Sequence, residues 1–239
     1  MTRAPWIALI LALVAACGGD GGGGEGGDMG SPIRPRTCYP PEGFDGHPTD
    51  VEQVVAMLNA MPKPVTVPCF LDALQRPFEL NATSNTFSAQ PAFGPNNPRI
   101  FIFRDKLAIA VVTKGDGRPL VELGLERAHG RSLKAEIEFP VEAELPLEQP
   151  YLHLTEDETV SGEGTTCGFC HLGESRDPSI DFAPAYVSSM IPPAPNDRVD
   201  LDYLLWAWEN CDPDAEPDRC AMFDAIFAQG EVSERPFPE

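Results

Sequence analysis

Cations are scarce in this chain: 17 Lys and Arg stand against 37 Asp and Glu, a formal charge of −20 over 239 residues. A surface that acidic repels phosphate backbones and anionic headgroups, which excludes nucleic acid as a partner. Long apolar runs are missing as well, and after the N-terminus none approaches the roughly 20 residues needed to cross a bilayer. Histidine occurs only at 47, 129, 153 and 171, too scattered to nominate a hydrolase triad. There is no G-x-S-x-G, no H-E-x-x-H and no P-loop. The turn at 212–218 alternates carboxylates but lacks the glycine and the bidentate glutamate of an EF-hand loop. What is present is a globular composition, 42% apolar and 23% charged. The 26 prolines and 21 glycines argue against a long helical bundle. The remainder is an acidic, turn-rich body.

The N-terminus reads as an address. Residues 1–16 hold one cation, Arg3, and then an apolar stretch from Trp6 to Ala16, too short to span a membrane but suited to a signal peptide. The stretch ends in Leu13, Val14, Ala15, Ala16 and Cys17, which resembles the lipobox of bacterial lipoproteins. That resemblance implies a diacylglycerol on the Cys17 thiol and attachment to a membrane of the bacterial envelope through it. An ordinary secretory signal with a coincidental cysteine is the alternative. Residues 17–31 are Gly-rich and form no core, so they serve as a tether. Gly18, rather than aspartate, follows the cysteine. By the same resemblance this favours the outer over the inner membrane.

Export permits disulfides. Seven cysteines are present, at 17, 38, 69, 167, 170, 211 and 220. With the lipid carrier set aside, Cys211 and Cys220 flank an acidic turn between two helical patterns. A bridge there closes a short loop worth about 2–3 kcal/mol. Cys38 and Cys69 bracket the first helix and pair across it, which leaves Cys167 and Cys170 as a C-x-x-C.

Periodicity divides the rest in two. Residues 32–155 hold one amphipathic helix, with Val51, Val54, Val55, Leu58 and Met61 on one side and Thr49 or Asp50 as cap. Pro62 and Pro64 stop it. Strand patterns follow: 99–104 and 107–113 as a hairpin about Asp105 and Lys106, then 120–126. Next, Leu133, Ala135, Ile137 and Phe139 alternate with Lys134, Glu136 and Glu138, and 151–154 is a last strand. Residues 156–239 hold 19 acids against four arginines and no lysine. They carry two helices, near 199–211 and 220–229, with Asp197 and Asp218 as candidate caps. The expected fold is α+β: a small antiparallel β-sandwich or open barrel followed by a short helical module.

That module contains Thr166, Cys167, Gly168, Phe169, Cys170 and His171, a C-x-x-C-H that resembles the attachment signature of c-type cytochromes. The resemblance covers those five motif residues and at most the last 85 or so. It implies haem c held through thioethers at Cys167 and Cys170, with His171 as axial iron ligand. Met190, before a proline pair in the same module, is the candidate sixth ligand, with His153 and His129 as others. Two further readings stay open. Cys167 and Cys170 form a plain or redox-active disulfide, or they bind zinc with His171 and Glu174.

Two functions from different classes follow. One is a lipid-anchored haem electron carrier whose acidic field steers a basic redox protein. The other is a non-catalytic envelope binding or structural lipoprotein in which the C-x-x-C is a disulfide.

Overall fold

A computed structural model of the protein describes residues 35–127, 130–155 and 164–238. The leader 1–16, Cys17, the tether 17–31 and His129 lie outside the described residues.

The first helix forms where the apolar spacing placed it. α1 (Val51–Ala60) starts at Asp50, whose Oδ1 accepts the Gln53 amide at 2.8 Å, and it buries Val51, Val54, Val55, Met57 and Leu58. A second, shorter helix, α2 (Val67–Ala73), follows directly, with the Thr66 hydroxyl accepting the Cys69 amide. Its seven residues are too few to show a helical period in sequence. The chain then enters β1 (Phe78–Thr83) and a two-stranded excursion, β2 (Asn85–Thr86) with β3 (Ala92–Phe93). It returns as β4 (Arg99–Arg104), β5 (Leu107–Val112), β6 (Leu120–Glu126) and β7 (Arg131–Glu138). The β4–β5 hairpin turns on Asp105 and Lys106, with Asp105 at φ 50° and Arg104 opposite Leu107. This left-handed position suits an aspartate better than a branched residue.

Residues 151–154 are not a strand. They belong with α3 (Gln149–Leu152), one helical turn packed on β7. Pro150 sits in its first turn, where the missing N–H costs nothing; in a strand it would remove a ladder hydrogen bond. The C-terminal segment supplies β8 (Ser175–Arg176), β9 (Tyr186–Ser189), α4 (Leu201–Glu209), α5 (Pro217–Phe227) and β10 (Val232–Glu234). Neither helix uses the expected cap: α4 follows Asp200 and α5 follows Glu216, with no side-chain cap bond at either.

The protein is α+β. Eight strands form one open mixed sheet in the order β10-β1-β4-β5-β6-β7-β9-β8, antiparallel except for β1 with β10. Residues from both sides of position 156 therefore share a sheet. One sheet face is apolar: Ile100, Ile102, Ile109, Val111, Val121, Leu123, Leu133, Ala135 and Ile137 belong to a single core with α1, α2, α4 and α5. α5 packs on both α2 and α4. Arg76 ties this layer together. Its guanidinium lies 3.5 Å over the Phe78 ring and donates to the carbonyls of Leu71, Leu74 and Ala225.

Two disulfides close the body: Cys38 with Cys69 and Cys211 with Cys220, at Cα separations of 5.2 and 5.6 Å. The first is doubled by Asp72. Its buried carboxylate accepts the amides of Thr37 and Cys38 at 2.6 and 2.7 Å and the Thr37 hydroxyl at 3.0 Å. The segment at Thr37 and Cys38 is thus fixed both covalently and by charge-assisted hydrogen bonds.

Candidate functional site: the Cys167–His171 turn on the polar face of the sheet

The second face of the sheet is charged. Even positions of β6 and β7 turn outward, so Glu122 stands opposite Glu136, and Lys134 stands opposite Gly124. Two like charges in register repel, and each is met by a nitrogen-bearing side chain from elsewhere. Arg99 reaches from β4 across Ala110 of β5 to Glu122, at 2.5 Å. His153, just after α3, sits with Nδ1 2.9 Å from Glu136. Lys134 lies along the side-chain-free Gly124 position and donates to the Ser132 hydroxyl at 2.7 Å.

The C-x-x-C-H turn packs over this charge. Thr166–Phe169 form a 3-10 turn, and the amides of Cys170 and His171 both reach the Cys167 carbonyl, at 3.2 and 2.8 Å. Thr165 starts the turn by accepting the Cys167 amide on its hydroxyl. Thr165 is held in turn by Glu174, which takes its amide at 2.8 Å and its hydroxyl at 2.6 Å. A Cβ at Gly168 would lie 2.7 Å from the Glu174 carboxylate, so a larger residue there would push that side chain off Thr165.

The two thiols have different surroundings. Cys167 is half-buried, and its thiol is pushed up to about 12, first by burial and then by the Glu122 charge. Cys170 is exposed. His171 gives its Nδ1 to the Ser189 carbonyl at 2.7 Å. A carbonyl can only accept, so Nδ1 carries the proton and the neutral ring has its lone pair on Nε2. Burial, followed by the Lys134 charge, holds this imidazole below its usual pKa. Burial likewise lowers the Lys134 ammonium, with the neighbouring Cys167 and Glu122 opposing.

This arrangement corrects the haem c and zinc readings. Among the described residues, no group of three or more His, Cys, Asp and Glu side chains is placed to hold a metal ion. The two thiols also differ in exposure, with Cys167 half-buried beside the sheet's charges and Cys170 exposed. Glu174, the fourth zinc candidate, is committed to Thr165. Met190 is half-buried with its amide on the Gly130 carbonyl, beside the Ser189 that holds His171. His153 belongs to Glu136 and Glu138.

Sequence spacing brought Cys167, Cys170 and His171 together, but Arg99, Glu122, Lys134 and Thr165 were missed as neighbours. The strand alternation marked Lys134 and Glu136 as a wet face and carried no signal that a later segment covers it. Comparisons with protein-family models, with curated proteins and with solved structures find no match.

Proposed function

We propose that this chain is a lipid-anchored protein of the bacterial envelope, held through Cys17 and the 17–31 tether and favouring the outer membrane. Its folded body binds or braces rather than catalyses, and Cys167 and Cys170 close as a disulfide. The observation that carries the reading is the apolar run that stops at Leu13, Val14, Ala15, Ala16 and Cys17. Two further features support it. Both remaining distal cysteine pairs are joined, as suits an oxidising compartment. Among the described residues no helix is long and apolar enough to cross a membrane.

Electrostatics selects the partner class. A chain with a formal charge of −20 attracts a basic protein surface, and the attraction weakens with salt. The reading is tested by the intact mass of the mature chain from envelope membranes. The expected N-terminal residue is Cys17 carrying a diacylglycerol, with release into the soluble fraction for Cys17→Ala. A mature N-terminus elsewhere, without lipid, refutes it.

A further inference from the structure

The unequal exposure of the C-x-x-C thiols, and the side chains around the outer one, give the pair a direction. We propose that Cys167 and Cys170 form a thiol–disulfide exchange site for exported proteins, with Cys170 attacking a partner's disulfide beside an apolar rim and Cys167 resolving the adduct. This rests on the reading above, in which Cys167 and Cys170 close as a disulfide, and makes that disulfide the product of one exchange with a partner.

Three observations converge. First, the body's other four described cysteines are bridged, whereas Cys167 and Cys170 are free thiols on a single turn. Second, Cys170 is exposed, while Cys167 is half-buried against the charged sheet face. Third, apolar side chains flank the open thiol in the chain and stand exposed: Phe169 is 67% exposed, Leu172 74% and, on the neighbouring segment, Ile191 52%. The Ser189 amide and hydroxyl both bond the Leu172 carbonyl, which brings the backbone of 189 alongside 172. Such a rim on an otherwise strongly acidic body favours a disulfide flanked by apolar residues over a small charged disulfide.

The chemistry balances without any other reagent. The Cys170 thiolate attacks one sulfur of the partner's R1–S–S–R2, that bond breaks, and R2–S⁻ leaves and takes up the proton Cys170 lost. Cys167 then gives up its proton and attacks the Cys170 sulfur. The Cys170–S–S–R1 bond breaks and R1–S⁻ leaves with that proton. Two electrons pass from the pair to the partner, giving two partner thiols and a Cys167–Cys170 disulfide. A buried thiol of raised pKa is a poor first attacker. Within one turn, high effective concentration makes it an adequate second one.

The test uses the full mature chain purified from membranes in detergent, with free thiols alkylated at harvest and located by mass. It is then reduced just enough to open the pair and mixed with a synthetic peptide whose intramolecular disulfide is flanked by Leu and Phe. Cys167→Ser is expected to trap a mixed disulfide through Cys170, and Cys170→Ser to react at least roughly tenfold more slowly. Phe169→Ser with Leu172→Ser should slow trapping of the peptide several-fold, on the order of one to two lost apolar contacts, while leaving the rate with oxidised glutathione unchanged. Equal trapping through Cys167, or none through Cys170, overturns the exchange proposal. A pair found oxidised in the envelope but inert toward the peptide would sink the exchange and keep the disulfide reading. A pair found always reduced, yet trapping through Cys170, would do the reverse.

Discussion

The two disulfides close loops of very different length, and their contributions to stability should differ accordingly. The pairs are separated by 31 residues for Cys38–Cys69 and nine for Cys211–Cys220. Loop-closure entropy at those lengths gives about 3.7 and about 2.6 kcal/mol at 25 °C, a gap of about 1 kcal/mol. For a body of this size that corresponds to roughly 7–15 °C and 5–10 °C in Tm. Comparing simple deletions would confuse the crosslink with packing, because Cys211 and Cys220 are 9% and 2% exposed and their sulfurs fill core space. The cleaner design holds the atoms constant. In a Cys167→Ser, Cys170→Ser background, one variant loses only the 38 and 69 sulfurs to alanine and another only those at 211 and 220. Each is unfolded in urea, oxidised and reduced. The oxidised-minus-reduced difference is then the worth of the one remaining staple. It should be about 3.7 kcal/mol where Cys38–Cys69 remains and about 2.6 where Cys211–Cys220 remains. A reversed order, or both values below about 1 kcal/mol, would refute the chain-entropy reasoning for this fold.

Arg76→Met keeps the side-chain length but orphans the carbonyls of Leu71, Leu74 and Ala225; a loss of about 2–4 kcal/mol is expected by denaturant titration. Arg76→Lys should recover less than half of it, because an ammonium cannot reach three carbonyls and lie flat on Phe78; full recovery would mean that charge alone matters. The Asp177 carboxyl faces burial, which raises its pKa, but hydrogen bonds from Ser179 and Arg127 outweigh this and hold it below the usual range. With the folded value depressed, its contribution is present above the unfolded value of about 3.9 and is lost as pH falls through the folded one. Asp177→Asn should therefore lower stability at neutral pH and flatten the acid limb below about pH 4, and an unchanged limb would remove Asp177 from that account.

The elements legible in sequence are those with a repeating pattern or a marked turn. α1 repeats at helical spacing and β6 alternates buried and half-buried positions along its whole length, while β4 and β5, each buried at five of six positions, are marked by two apolar runs on either side of Asp105 and Lys106. α2, β2, β3, β8 and β10 are seven residues or fewer. β1, at six residues, is buried at five positions and so shows no alternation. A strand buried on both faces cannot be told from a loop or helix fragment by period. The site divided in the same way. Cys167, Cys170 and His171 stood together because their chemistry is local in sequence. Lys134, Glu122 and Arg99 joined them only through the return of residues 164–189 to the sheet, which no local pattern encodes. The haem reading failed at that point: motif spacing supplies ligand types, but the packing around the turn decides which way each thiol faces.

The acid-rich C-terminal segment raises a physical problem that the fold answers locally. Its four arginines are all engaged within the molecule: Arg176 on the Ala183 carbonyl, Arg198 with Glu234, Arg219 with Glu216, and Arg235 with Glu79. Repulsion should be worst at 212–218, where Asp212, Asp214, Glu216 and Asp218 crowd one turn. Three devices converge there. Asp212 accepts the amides of Asp214 and Ala215. Lys114 and Arg118, from the β5–β6 turn, reach over to Glu216 and Asp218, and the contact with Lys114 holds the Glu216 carboxyl below its usual range despite some burial. The Cys211–Cys220 bridge closes the turn covalently. Exposed ion pairs contribute little and fade with salt, so they alone would not fix a turn of this charge density. The covalent closure does not depend on ionic strength. The shorter staple therefore sits where non-covalent forces are least able to hold the chain.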